Sequence, residues 1–223
     1  AQATAITAAL PKAGGTMTGV LLNKAPSSGS TILQTFQRSD SAVSAEVKYD
    51  DTAAVRGFQI GTTTQHDLAL KTYNTTRMNI DYLGHVTMPA QPAFSATKSG
   101  GNQTSTGVIV FNTVQTNIGS HYNNSNGRFT APVAGQYYFS VFLMSSNNPS
   151  AFDVTFRKNG SLYTPLAPYF GDGPQYTQIS GSAVVTLAAN DYVDFELQAT
   201  GGGQVYGNGP NGKHSNFSGF LIG

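Results

Sequence analysis

The chain has no cysteine and no tryptophan, and only 10% of its residues are charged. Without thiols there are no disulfide staples, no thiolate metal sites and no cysteine nucleophile, and the redox compartment stays open. Twelve Lys and Arg against eleven Asp and Glu leave a net charge of +1, with no basic run anywhere. That balance gives nucleic acid or an anionic membrane surface no electrostatic footing. No apolar run approaches the ~20 residues of a helical bilayer span, so membrane insertion is not expected. His66, His85, His121 and His214 have no second histidine at metal-ligand spacing. There is no Gly-x-Ser-x-Gly elbow, and Gly201-Gly202-Gly203 is followed by neither a lysine nor a helix start. No catalytic residue, resident metal or cofactor is expected.

The missing charge is replaced by Ser, Thr, Asn, Gln and 25 Gly, beside 39% hydrophobic residues. That mixture favours strands and turns over solvated helices. At 223 residues the chain is long enough for one large β domain or one domain with a smaller attachment. Its start, AQATAITAAL, has neither an initiator Met nor a basic flank, and reads as a piece of something longer.

Three zones follow. Residues 1–24 hold LPKAGGTMTGVLL, where Gly14-Gly15 breaks any helix. Residues 25–89 alternate short segments: AEVKYD at 45–50, GFQIG at 57–61, DLALKTY at 67–73, RMNID at 77–81 and HVTM at 85–88. Period-two alternation between Gly, Asn and Asp predicts strands too short to bury much alone, so they need stacking against other copies of themselves. Residues 90–223 show longer strands: AFSA at 93–96, VIVF at 108–111, RFTA at 128–131, QYYFSVFLMS at 136–145 and FDVTFRK at 152–158. YTQISGSAVVTL at 176–187, YVDFELQA at 192–199 and NFSGFLI at 216–222 complete them. Turn residues Lys158-Asn159-Gly160 and Asn190-Asp191 separate neighbours, which argues for a sandwich, barrel or jelly roll. The strand at 136–145 is apolar on both faces, so it needs a second covering surface.

The order Phe111, Asn117, Tyr122, Phe129, Gly135, Tyr137, Phe139 resembles the aromatic signature of the C1q globular head, within the C1q and tumour-necrosis-factor-like superfamily. PAFSA at 92–96 resembles that family's first strand and NFSGFLIG its last. One place departs, for Val141 stands where the family usually has another aromatic. The resemblance implies a C-terminal ten-stranded jelly-roll β-sandwich in an all-β chain, a homotrimer, and an aromatic core of Phe111, Tyr122, Phe129, Tyr137, Phe139 and Phe220. Gly135 would serve a tight turn before the long strand. Asp194 and Glu196 share one strand face, either a solvated face or a carboxylate ring for Ca²⁺, which some family heads bind.

LPKAGGTMTGVLL resembles the Gly-Thr-Met-Thr-Gly element of bacteriophage tail-fibre proteins, and TRMNIDYLGHVTMP the short β repeat ahead of their distal domains. Together the resemblances imply a virion tail-fibre protein acting outside the cell. A linker (1–24) and a β-rich trimeric shaft (25–89) would precede a head (90–223) that attaches without catalysis to a host-surface receptor, such as a glycan. Other virion proteins would join through the N-terminal end. The alternative is a purely structural virion component, its head serving trimerisation alone. A polysaccharide-degrading spike would need more paired carboxylates than are present.

In an antiparallel sandwich, successive loops alternate between the two ends. With entry near residue 90 and the C-terminus placed beside it by the resemblance, loops 145–151, 168–176 and 200–215 fall at the far end. They carry Asn147, Asn148, Tyr169, Phe170, Tyr176, Tyr206 and Asn208, residues that stack and hydrogen-bond adaptably. These are the expected receptor-binding residues. The bland alternative is a set of polar loops with partly buried tyrosines.

Overall fold

The computed structural model describes residues 29–52, 56–145, 147, 150–166, 169–170, 176–199, 201–207 and 214–223, with Thr31 and 169–170 described in backbone only. The phage-like segment at 10–22, and with it the whole 1–24 linker, lies outside the described residues. The chain divides into two compact units, Ala1–Thr87 and Met88–Gly223.

The first unit holds two three-stranded antiparallel meanders. One is built from β1 (Ser30–Gln37), β2 (Ser44–Asp50) and β3 (Gly57–Thr62), the other from β4 (Leu68–Thr72), β5 (Thr75–Ile80) and β6 (Val86–Thr87). A two-residue turn closes β4 onto β5, with Tyr73 and Asn74 both at positive φ (49° and 53°), the twist a tight hairpin requires. Asp81 closes the next turn, its carboxylate accepting from the Leu83 and His85 amides and pairing with the His85 ring at 2.8 Å. Among the described residues of this unit only Ser44 and Asp50 are buried, and no hydrophobic side chain is.

The second unit is a jelly-roll sandwich. In chain order its strands are β7 (Ala93–Thr97), β8 (Gly107–Val108), β9 (Thr113–Ile118), β10 (Tyr122–Asn123), β11 (Arg128–Thr130) and β12 (Gly135–Met144). β13 (Ala151–Lys158), β14 (Ser161–Pro165), β15 (Tyr169–Phe170), β16 (Gln178–Leu187), β17 (Tyr192–Gln198) and β18 (Asn216–Leu221) follow. One sheet runs β16-β12-β18-β7-β9, the other β10-β11-β17-β13-β14, with the two-residue pieces β8 and β15 added to the second. Among the described residues the sandwich has twelve strands where ten were expected, three of them (β8, β10 and β15) only two residues long. β12 lies between β16 and β18, so the chain crosses between sheets repeatedly, as a jelly roll must.

Alternation along β12 sends Tyr137, Phe139, Val141 and Leu143 inward, where all are buried. They meet Phe94, Phe129, Phe156, Phe195 and Phe217 from both sheets, with ring centroids such as Phe129–Phe139 at 5.5 Å and Phe156–Phe195 at 4.8 Å. Tyr122 is buried too, its hydroxyl accepting from the Phe111 amide and donating to the Phe111 carbonyl, which satisfies a phenol that burial keeps protonated.

Two expectations change. Phe220 is not core: Phe217 and Gly219 take the inward positions of β18, so period two turns Phe220 outward, 46% exposed against Tyr138. Gly135 does not serve a tight turn but a close approach, since a Cβ there would stand 2.8 Å from Leu221 and 2.9 Å from the Gly223 carbonyl. The chain end thereby pairs beside the strand entrance, where the Leu221 amide also donates to Pro92.

Candidate ligand-contact apex

Loops between the strands meet at the end of the sandwich away from Gly223. The Ser145 amide donates to the Thr177 carbonyl and the Tyr206 amide to Met144, both at 2.7 Å. Val205 exchanges two backbone hydrogen bonds with Gln103, bringing in the loop after β7 as well. Ser215 finishes the clasp, its hydroxyl accepting from the Met144 amide and donating to the Tyr206 carbonyl. The 145–151 loop docks on the glycine run: Asn147 Nδ2 donates to the Gly202 carbonyl, and Ser150 donates to Gly201 from both amide and hydroxyl.

Tyr176 stands at positive φ (68°), half-exposed, its ring edge-on to Tyr206 at 5.6 Å. Tyr206 in turn lies 5.5 Å from the ring of His214. Three rings from two loops therefore form one row. Lys98, just after β7, is half-buried beside Gly207, and desolvation pulls its amine below the usual lysine value.

Of the seven expected contact residues, Asn147, Tyr176 and Tyr206 are brought together. Tyr169 and Phe170 lie in β15, paired with Phe152 and Ala151, rather than in a loop. Asn148 and Asn208 lie outside the described residues. Reasoning from the sequence missed His214 and Lys98. The signal was their position, each within two residues of a strand end at the same pole of the sandwich.

The carboxylate face of β17 does not suit calcium. Asp194 is completely buried, with Oδ1 accepting from Arg157 Nε at 2.7 Å and Oδ2 from Arg128 Nε at 3.2 Å. Glu196 accepts from Arg157 at 2.5 Å and from Gln198 Nε2 at 2.9 Å. Arg128 also lies 4.2 Å over the Tyr192 ring. The oxygens that a cation would need are already occupied, and neither a metal ring nor a solvated face describes this surface. Among the described residues no group of three His, Cys, Asp or Glu side chains is placed to hold a metal. A cleft of about 180 Å³ lies beside Phe139, Phe156 and Phe195, lined also by Leu166 and by Ser180 to Ala183, and no titratable group lines it.

Comparison with known proteins bears on all of this. The chain is 33% identical over 114 residues to complement C1q tumor necrosis factor-related protein 3 of mouse and of human, covering 51% of this chain and 44% of each relative. It is 33% identical over 138 residues to the human related protein 5, covering 60% and 55%. The chain thus spans about half the length of the curated relatives it matches. Among solved structures, the globular domain of zebrafish complement 1qA aligns over 60% of this chain and 98% of its own, at 23% identity and a TM-score of 0.49. Murine APRIL aligns over 59% and 99%, at 7% identity and a TM-score of 0.47.

These relatives correct the expected source and role. The phage reading rested on short segments ahead of residue 90, whereas the matched relatives are mammalian complement-related proteins. The bacteriophage assignment, the virion location, the host-cell receptor and the virion-protein partners fall with it, as does the structural-virion alternative. What stands is the head: the C1q domain family model matches residues 93–222, and the chain belongs to that family.

Proposed function

We propose that residues 93–222 act as a non-enzymatic recognition head of an extracellular signalling or adhesion protein, working as a homotrimer. One observation carries the reading: the five strands β16, β12, β18, β7 and β9 contain no charged residue at all. On the outer face of that sheet Val184, Tyr138, Phe220 and Ala93 form one cross-strand row, with Val184 54% exposed. Charge depletion around aromatic residues is what separates the centre of a subunit interface from ordinary surface. The opposite sheet carries the head's strand charges, on Arg128, Asp153, Arg157, Lys158, Asp194 and Glu196. Self-association through the uncharged sheet also supplies the second cover that β12 requires.

In this reading the apex is the ligand-contact surface, supported by the Tyr176–Tyr206–His214 row and by Asn147. Rings that stack and amides that hydrogen-bond form an adaptable contact, and three heads raise avidity without new contacts. The β-rich trimeric shaft expected over 25–89 belongs to the same proposal, supported by the six antiparallel strands between Ser30 and Thr87. Light scattering at micromolar concentration tests the assembly: wild type gives three chains, and Tyr138→Asp with Val184→Asp gives one. A monomeric wild type overturns it. For the apex, the chain is screened against immobilised extracellular proteins and glycans. Tyr176→Ala with Tyr206→Ala abolishes a hit while leaving the melting temperature in place; an unchanged hit moves the site elsewhere.

A further inference from the structure

β16 differs from the other edge strands of the head. β14 ends in Pro165 and joins β13 through a register shift, β9 joins β7 through another, and β10 is two residues long. Proline, irregular register and shortness are what keep an exposed strand edge from pairing with another chain. β16 has none of them: its ten residues are uncharged, lack proline and stay in unbroken register with β12. Backbone parity tells which groups face the open side. The Ser145 amide donates to the Thr177 carbonyl, whereas Gln136 on β12 bonds to Ile222 and Gly223 on the opposite flank. The odd residues of β16 therefore bond to β12, and the even ones turn their N–H and C=O groups outward. Lys158 Nζ donates to the Thr186 carbonyl on that side at 3.0 Å. Among the described residues nothing bonds there to the backbone of Ser180, Ser182 or Val184. The cleft of about 180 Å³ lies beside the same edge. Alternation turns Gly181 and Ala183 inward to line it over Phe139, Phe156 and Phe195. Its other wall, Thr164 to Leu166, belongs to the edge of the second sheet.

We propose that β16 takes an extended, uncharged segment of another protein as an added strand, with one apolar side chain of that segment seated in the cleft. Donors and acceptors repeating every second residue are matched by the backbone of another extended chain. The residue of that chain opposite Ala183 faces inward as Ala183 does. Because odd residues of β16 bond to β12, that pair carries no backbone bonds of its own, the arrangement in which opposed side chains come closest. The size suits an aromatic ring or a branched aliphatic side chain, since an apolar cavity of about 150 Å³ takes up benzene. Neither the cleft nor β16 holds a charged group, so a charged side chain there would find no partner. A second copy of β16 is a poor occupant, because the middle of its inward row is Gly181 and Ala183, too small to fill the space. Backbone bonds would hold the segment and the cleft would select it.

The probe is an acetylated and amidated peptide, Thr-Ser-Thr-Phe-Thr-Ser-Thr, titrated to about 1 mM into the isotope-labelled full chain and followed by NMR. The amides of Ser180, Ser182 and Val184 shift and gain exchange protection. Glycine in place of the central phenylalanine weakens binding roughly tenfold or more, the effect of losing one buried ring. Methylating alternate backbone nitrogens of the peptide abolishes binding. Ser182→Pro removes an outward N–H that β12 does not use, so binding is lost while the melting temperature holds. Should that variant fold poorly, Ala183→Leu reads the same site by filling the cleft and erasing the preference for phenylalanine over glycine. Absence of any shift at β16 overturns the inference. Equal affinity for the phenylalanine and glycine peptides overturns the role of the cleft. Full binding of the methylated peptide overturns strand addition and leaves only an apolar pocket. Protection along β16 that rises with protein concentration, without peptide, gives the edge to a second copy and overturns the proposed occupant.

Discussion

The two units are both made of antiparallel strands with period-two alternation, yet one buries a cluster of aromatic rings and the other, among its described residues, buries no hydrophobic side chain. The difference is layering. In the head a second sheet faces the first, so Phe139 meets Phe94 and Phe217 from its own sheet and Phe129 and Phe156 from the opposite one. In residues 30–87 the same alternation leaves Phe58 and Ile60 more than half exposed, uncovered among the described residues. Alternation specifies a face. It does not supply what covers it, and only the cover converts apolar area into stability.

Matched substitutions test that contrast. Phe139→Ala is expected to cost ~3–5 kcal/mol by opening a cavity in a core with little room to collapse. The same change at Phe58, in a chain diluted to monomers, stays within about 0.5 kcal/mol. Denaturant midpoints for the head, and amide exchange in β2 and β3, read the two. Equal effects would erase the distinction between the units.

Ion pairs give the second contrast. Asp194→Ala leaves the mostly buried Arg157 with Glu196 alone and removes the carboxylate that the partly exposed Arg128 also meets, and is expected to cost about 2 kcal/mol in thermal or chemical unfolding. Asp40→Ala breaks the exposed Arg38 pair and leaves the melting profile where it was. A shift at Asp40 as large as that at Asp194 would mean the first unit is less open than described.

Glycine gives the third. A Cβ at Gly219 would lie 2.4 Å from the Phe139 ring, so Gly219→Ala overpacks the core by ~1–3 kcal/mol. Gly61 has nothing within 4 Å and no positive φ, so Gly61→Ala restricts the unfolded chain and stabilises its meander by about 0.5 kcal/mol. Exchange protection in β3 that falls instead of rising would place a close neighbour there.

The smallest effect is acid sensitivity. Asn159 and Lys158 hold the Asp191 carboxyl below its ordinary 3.8, at about 2, while His85 lowers Asp81 in the first unit. A lowered folded value means that the stabilisation is complete above the unfolded value and is lost as pH falls through the folded one. The head therefore weakens between about pH 4 and pH 2, and Asp191→Asn flattens that part of the melting-temperature curve. A variant as acid-sensitive as wild type would assign the slope to other carboxylates.

Much of the fold was legible in the residues. β12, β13 and β17 announce themselves by alternation, and the β13–β14 turn by Asn159-Gly160, both at positive φ. β1, β9, β10 and β14 were not read, because STILQTFQ, TVQTNI and SLYTP mix polar residues into edge or exposed strands with no clear period. The segment 108–111 has the pattern of a strand, but the strand ends at Val108 and only the Ile109 amide continues the pairing, to the Phe195 carbonyl, although Ile109 and Phe111 are both buried. Phe220 and Phe217 are equally aromatic, so only the neighbours on β7 and β12 decide which points inward. At the apex, loop membership was legible but ring contacts were not. Tyr206 meets His214 because of how the segment between β17 and β18 folds back, which no local pattern records. Asp194 was unreadable for the same reason, since its two arginines come from β11 and β13.

The sheet without charges has a kinetic consequence. A surface lacking fixed charge cannot steer an approaching partner, so docking on it proceeds at an unguided rate of about 10⁵–10⁶ M⁻¹s⁻¹. Ionic strength should hardly change that rate, because there is nothing for salt to screen. Stability of the docked state then resides almost wholly in slow departure, and subunits once joined would exchange rarely. An assembly built this way forms without haste and keeps its composition across wide changes of salt.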